Sequence, residues 1–313
     1  MNRLIMASLV SFTLIFSAFP SWCGDLDKGV DAAENGNFET AVQELTPLAE
    51  QGHALAQYNL ALVHQMLSPP NHKIARMWFT HAAKQGLAAA QYNLGIMWRD
   101  GLGGVQRDDE EAMGLFILAA DQGFVEAQYA LGVLEYKGTK EASTRRYIGP
   151  PNYKRAAYFY ELAADKGHLD AQYDLALLYD NGEGVPKDNK TAVKWYTLAA
   201  KQGHAKSQAR LGKIYFAGEV VTKDFESALK WYRLAAEQRH TIAQTMLGYM
   251  YVKGHGTIQD NLYAHMWWNI AAASGEKSAI KNRDLVAERM TPADISTAQK
   301  LARECVAKNY KGC

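Results

Sequence analysis

Cysteine is scarce: three in 313 residues, too few for a disulfide-framed small fold or an array of zinc sites. No H-E-x-x-H, C-x-x-C or G-x-S-x-G occurs, so the usual signatures of zinc hydrolases, dithiol redox centres and serine esterases are missing. Only eight prolines leave long stretches open to helix. No segment alternates apolar and polar residues for long enough to read as a strand, so no phosphate-binding glycine loop can follow one. Neither sign of charge dominates, with 34 Lys+Arg against 33 Asp+Glu; that balance gives no reason to expect nucleic acid as a partner. Beyond residue 19 no apolar run approaches the ~20 residues that cross a bilayer.

The first residues are different. Arg3 is followed by an uncharged apolar run, Leu4 to Phe19, and Pro20 breaks it. Ser21-Trp22-Cys23 places small residues at the −3 and −1 positions of a cleavage after Cys23. We therefore expect residues 1–23 to be a signal peptide and the mature chain to be periplasmic or secreted, without a membrane span. An uncleaved anchor is the alternative; a lipid anchor at Cys23 is opposed by the bulk of Trp22. Removing 1–23 takes away Arg3 and no acid, leaving no formal net charge, and leaves Cys305 and Cys313 as the remaining pair. On one continuous helix those two would lie ~12 Å apart, too far to bridge. A disulfide between them needs the helix to end before Lys311-Gly312 and the chain to turn back. Two unpaired thiols, or a link to another chain, are the alternatives.

What the sequence has in abundance is self-similarity. Ala-Gln or Ser-Gln ends at Gln57, Gln91, Gln128, Gln172, Gln208 and Gln244. A double alanine follows each, at Ala82-Ala83, Ala119-Ala120, Ala163-Ala164, Ala199-Ala200, Ala235-Ala236 and Ala271-Ala272. A glycine closes most units, with Arg239 the exception. Three markers in one register mean a repeat protein. Each unit reads as two helices: AQYDLALLYDNG, then a glycine turn, then a second helix opened by Asp188 as N-cap. Asp108, Asp224 and Asp260 hold the same place, and Asp108 has Glu111 at capping-box spacing. Small residues four places after the Gln (Ala61, Gly95, Gly132, Ala176, Gly212, Gly248) predict a neighbouring helix too close for a larger side chain. The second helices carry aromatic pairs such as Trp195-Tyr196 and Trp231-Tyr232. Arg239 should strain its turn or force a different one.

The expected architecture is an all-α, right-handed superhelical solenoid of about six hairpins, period about 36 residues, over 54–275. Capping helices flank it over 24–53 and 276–313, where terminal units must cover an open apolar face.

The segments AQYNLGIMWRDGLGGVQRDDEEAMGLFILAADQG and AQYDLALLYDNGEGVPKDNKTAVKWYTLAAKQG resemble the Sel-one-like repeat, a relative of the tetratricopeptide repeat. GNFETAVQELTPLAEQG is similar to the leading helix of its exported bacterial members. The resemblance implies an adaptor in multiprotein complexes, with no cofactor, and for exported members a role in envelope processes, signalling or host contact. It also implies that Tyr58, Tyr92, Tyr129 and Tyr173 lie on or near a concave face, and that Asn59 and Asn93 match an asparagine that contacts bound peptide in some tetratricopeptide domains. The expected partner is another protein or peptide; packing of these tyrosines between units is the alternative.

Unit three has a longer turn, GTKEASTRRYIGPPN, in which Arg145 and Arg146 could grip a carboxylate or phosphate; a tolerated surface insertion is the rival reading. His53, His168, His204 and His240 recur a unit apart, so they cannot converge on one metal ion and are expected near the start of the next helix. Ser274-x-x-Lys277 fits the core of penicillin-recognising enzymes but lacks the S-D-N and K-T-G partners. The reading is therefore a non-enzymatic scaffold. An envelope enzyme or accessory protein that binds peptidoglycan fragments is the runner-up, and self-association through the ends is a third reading.

Overall fold

The carbonyls of a helix's last turn have no partner inside the helix, and this chain meets that need in one recurring way, at the end of the helix that precedes the repeats and of the second helices of the first five repeats. A computed structural model describes residues 23–140 and 147–313. Two helices, α1 (Cys23–Glu34) and α2 (Phe38–Glu50), precede six hairpins. These are α3 (Ala54–Met66) with α4 (His72–Lys84), α5 (Ala88–Asp100) with α6 (Asp109–Asp121), α7 (Val125–Lys137) with α8 (Tyr153–Asp165), α9 (Leu169–Asn181) with α10 (Asn189–Lys201), α11 (Ala205–Ala217) with α12 (Phe225–Glu237), and α13 (Thr241–Lys253) with α14 (Asn261–Ala273). Helices α15 (Lys277–Ala287) and α16 (Pro292–Ala307) follow. The hairpin helices are 13 residues long, or ~20 Å at 1.5 Å per residue. The chain divides into two compact units, up to Leu118 and from Ala119 onward.

In α4, the N–H of Gly86 donates to Ala83 O at 2.9 Å and that of Leu87 to Ala82 O at 3.3 Å. This is the double bond of a Schellman ending, with Gly86 left-handed at φ 86°. The double alanine is the pair whose carbonyls receive these bonds. In the first five repeats its second carbonyl takes one more donor, the amide of the next helix's glutamine, and Ala49 of the Leu48-Ala49 pair in α2 does the same. Gln57 Nε2 donates to Ala49 O at 3.0 Å, Gln91 to Ala83 at 3.3 Å and Gln128 to Ala120 at 3.4 Å. Gln172 donates to Ala164 at 3.0 Å, Gln208 to Ala200 at 3.0 Å and Gln244 to Ala236 at 3.2 Å. All six glutamines are buried.

The other end of each hairpin is tied equally regularly. The N–H of the residue that caps the second helix donates to the eleventh residue of the first: Asn71 to His64 O, Asp108 to Trp98 O, Asn152 to Glu135 O, Asp188 to Tyr179 O, Asp224 to Tyr215 O and Asp260 to Tyr251 O, all at 2.7–3.0 Å. Asp188, Asp224 and Asp260 accept from the first-turn amides as expected of N-caps. Asp108 accepts from Glu110 and Glu111 N–H. Because its own N–H is given to Trp98 O, the anticipated box with Glu111 is not needed. The capping box that does form is Thr291–Asp294, at the start of α16.

The small residues of the first helices face an aromatic ring of the same hairpin. A Cβ added to Gly95 would lie 2.6 Å from Phe116, at Gly132 2.5 Å from Tyr160, at Gly212 2.7 Å from Tyr232 and at Gly248 2.6 Å from Trp268. That is the close approach expected from the sequence; the second member of an aromatic pair makes it at Tyr160, Tyr232 and Trp268, and Phe116 of Leu115-Phe116 makes it at Gly95. Arg239 keeps the turn of its glycine counterparts, at φ 65°. The expectation that no strand exists needs correcting. Thr139–Lys140 and Tyr147–Gly149 form a short antiparallel ladder, β1 and β2, at the base of the unit-three insertion.

A second glutamine series supports the first. Gln85 Nε2 donates to Gln57 Oε1 at 2.8 Å, Gln202 to Gln172 at 3.2 Å and Gln238 to Gln208 at 2.8 Å. At the matching place after α8 stands Lys166, which reaches Gly123 O at 2.9 Å, and Gln128 Oε1 has no partner among the described residues. Lys166→Gln should supply that donor and raise stability by about 1 kcal/mol, the net worth of one hydrogen bond, read as a higher urea midpoint. Gly248→Ala should act the other way. Overpacking against the buried Trp268 costs ~1–3 kcal/mol, more than the ~1 kcal/mol alanine gains over glycine in a helix. The thermal midpoint should drop and the near-ultraviolet tryptophan signal should change.

Candidate functional site

One residue after the buried glutamine, the first helices α3, α5, α7 and α9 carry tyrosine. In the unit up to Leu118, the Tyr58 ring lies 5.8 Å from Phe79 and Tyr92 5.7 Å from Phe116, centroid to centroid. In the unit from Ala119, Tyr129 lies 5.7 Å from Tyr160, and Tyr173 5.7 Å from Tyr196. All four tyrosines are half-buried, each held against its own hairpin with the rest of the side chain at the surface. Ala209 and Thr245 take the place in the last two repeats. At the latter, the Trp268 indole N–H donates to the Thr245 carbonyl at 3.0 Å.

Tyr129 is the most firmly placed. Its hydroxyl donates to Asp174 Oδ2 at 2.9 Å, and its ring stacks on His168 at 4.4 Å. Asp174 belongs to the next repeat, so the bond joins neighbouring first helices. Burial pushes the Tyr129 hydroxyl far above its ordinary value, and the negative charges of Asp174 and Asp170 add to that. Burial also raises the Asp174 carboxyl, against the hydrogen bond from Tyr129 that lowers it. Tyr173 meets the edge of His204 at 5.3 Å and lies under the Lys206 ammonium at 5.9 Å. Arg210 pairs with Asp180 and covers the Tyr196 ring at 5.8 Å.

Asn59 is buried. Asn93 directs Nδ2 to Ala89 O of its own helix at 2.8 Å. Arg145 and Arg146 lie outside the described residues. Cys305 and Cys313 are joined by a disulfide, their Cα atoms 5.6 Å apart, because the chain reverses after α16. Ser274 ends α14 and Lys277 begins α15. Sequence reading overlooked Asp174 and His168 as the partners of Tyr129. The available signal was that Asp174 replaces Asn59 and Asn93 at its repeat position.

The recurrent histidines are N-caps of first helices. His53, His168 and His240 accept, through Nδ1, the N–H of the third helical residue at 3.3, 3.2 and 3.3 Å. His204 is arranged differently: Nδ1 meets Ser207 Oγ at 2.8 Å and Nε2 meets Asp170 Oδ1 at 3.3 Å. Serine, histidine and aspartate in series suggest a hydrolytic triad. Ser207, however, has no exposed surface, so its hydroxyl cannot meet a substrate, and the trio links α9 to α11. The bond to His204 holds the Asp170 carboxyl below its usual range, ahead of the burial that raises it.

The Sel1 repeat matches six times, at residues 54–87, 88–124, 125–168, 169–204, 205–240 and 241–276. The chain belongs to the Sel1 repeat family. Each Sel1 match begins at a first helix and takes in the second helix and its closing turn. A Sel1 repeat protein from Oxalobacter formigenes is 28% identical, with a TM-score of 0.67 over 79% of this chain and 96% of that one. The protective antigen c5321 of uropathogenic Escherichia coli, which displays the SLR fold, is 26% identical, with a TM-score of 0.54 over 92% and 70%. No curated protein matches the chain by sequence. Sel1 repeat proteins are generally protein-interaction scaffolds, and their solenoid fold is typically non-catalytic. Among the described residues, no helix is long and apolar enough to cross a membrane.

The Sel1 caps make stability depend on pH, since an accepting Nδ1 must be unprotonated. Burial lowers the His168 pKa, with Asp170 and Glu126 opposing the shift and His204 adding to it. Burial also lowers that of His240, with Lys206 and His204 adding to the shift. The unfolded chain then binds more protons, so the contribution is complete above the ordinary value of about 6.5 and is lost as pH falls through the lowered folded values. The double variant His168→Asn, His240→Asn keeps an acceptor at each cap and removes the titration. It should lose less stability than the parent between about pH 7 and about pH 5, whatever its absolute stability without the Tyr129–His168 stack. Parallel pH profiles in urea unfolding would contradict the assignment.

Proposed function

We propose that this chain is an exported adaptor of the bacterial cell envelope. It holds another protein, or a peptide segment of one, against first-helix faces of its repeats, with Tyr58 and Tyr92 as anchors on the unit up to Leu118 and Tyr129 and Tyr173 as anchors on the unit from Ala119 onward. The observation that carries this reading is the way those tyrosines are fixed. Each is clamped by a ring of its own hairpin, and Tyr129 also by Asp174 and His168, while part of every side chain stays at the surface. Aromatic groups that are already immobile lose little entropy when a partner covers them, and tyrosine combines contact area with a polar tip. Asn59 and Asn93 flank two of these rings.

Export is supported by the uncharged run Leu4 to Phe19 behind Arg3. The Cys305–Cys313 disulfide also supports it, because such bonds persist in oxidising compartments. Similarity to c5321, a protective antigen, accords with export. Arg145 and Arg146, in the unit-three insertion, would add a carboxylate- or phosphate-binding element to the partner surface.

Capture from native periplasmic extract by the mature chain tests the reading. Tyr92→Ala and Tyr173→Ala should each reduce recovery of the captured protein about ten-fold, the effect of losing one buried anchor worth ~1.4 kcal/mol. Equal recovery by both variants, at unchanged thermal midpoints, would remove the tyrosines from the binding surface.

A further inference from the structure

Five of the six Sel1 repeats begin after a unit that closes with glycine; the sixth begins after Arg239. Arg239 adopts φ 65°, a region that residues with a Cβ seldom occupy, and its N–H still donates to Ala236 O at 2.9 Å. Its side chain is engaged by a segment far along the chain. Arg239 Nη2 donates to Asn309 Oδ1 at 2.7 Å, and the guanidinium lies over the Tyr310 ring at 5.1 Å. Two residues before Arg239, Glu237 Oε1 accepts the N–H of Gly312 at 3.3 Å. Three contacts from residues 309–312 therefore land on one turn, between α12 and α13.

The arriving segment has an unusual backbone. Asn309 and Tyr310 are both left-handed, at φ 56° and 68°, and two such residues in succession are not what an untethered chain of L-amino acids adopts. The Tyr310 N–H returns to Cys305 O at 2.8 Å. The loop is closed behind it by the bond from Cys305, which is buried in the core against α14, to Cys313.

We propose that the Cys305–Cys313 disulfide is a redox-operated clamp: oxidised, it seats residues 309–312 on the α12–α13 turn, and reduced, it frees them from Arg239 and Glu237. In the releasing step a dithiol supplies two electrons. The S–S bond breaks, each cysteine sulfur takes up a proton, and the dithiol leaves as its own disulfide. The clamp does not depend on the partner-binding reading.

Amide hydrogen exchange on the full mature chain, before and after reduction with dithiothreitol, tests the clamp. The amides of 309–312 should exchange at least ten-fold faster once reduced, and those of Arg239 and His240 should accelerate with them. Amides of α7 to α10 should be unchanged, and reoxidation should restore the slow rates. The variant Cys313→Ser should match the reduced chain; if its circular dichroism shows that it has not folded, the reversible reduction of the native chain decides. Unchanged protection at 309–312 after reduction confirmed by mass would overturn the proposal. So would release of 309–312 with no change at Arg239 and His240.

Discussion

The structure depends on one buried hydrogen bond made six times, from a glutamine amide to the carbonyl of an alanine that ends the preceding helix. Alanine and aromatic side chains supply most of the apolar contact, but such surfaces tolerate sliding. A buried amide does not: left unpaired it costs ~1–3 kcal/mol. Gln57, Gln91, Gln128, Gln172, Gln208 and Gln244 therefore fix where one hairpin sits on the last. The second series, Gln85, Gln202 and Gln238, carries that register across a whole repeat. The bond from each second-helix cap to the eleventh residue of the first helix sets the length of every hairpin in the same way.

The helices, the order of hairpins and the close approaches at Gly95, Gly132, Gly212 and Gly248 were legible in the sequence, because each rests on a residue type with one strong physical preference. Glycine in mid-helix, aspartate before a helix and a glycine at its end all declare a local geometry. What was not legible depended on which of two partners a polar group would take. Asp108 and Glu111 have capping-box spacing, yet the Asp108 amide belongs to Trp98. The role of Gln85, Gln202 and Gln238 is invisible until each hairpin closes, since the partner lies about 30 residues earlier in the same repeat. The short ladder in the insertion involves too few residues to leave a periodic pattern.

The tyrosines show how packing and binding readings meet in one side chain. A ring wedged against Phe79, Phe116, Tyr160 or Tyr196 is a structural element, and the hydroxyl bond from Tyr129 to Asp174 strengthens that role. The same restraint makes the remaining surface a rigid contact. Ser207, His204 and Asp170 make the complementary point: residues that suggest catalysis by their identity are excluded from that role by burial, and their bonds serve to join α9 to α11.

The longest turn in the chain, between α7 and α8, leaves the hairpin around it unchanged. Asn152 still caps its helix and still returns to Glu135, as Asp188 does to Tyr179 across a shorter turn. This position is thus a docking port for new sequence. A segment of different length or composition can be grafted there without disturbing the stack, so a recognition element could diversify at this point while the scaffold that carries it stays the same.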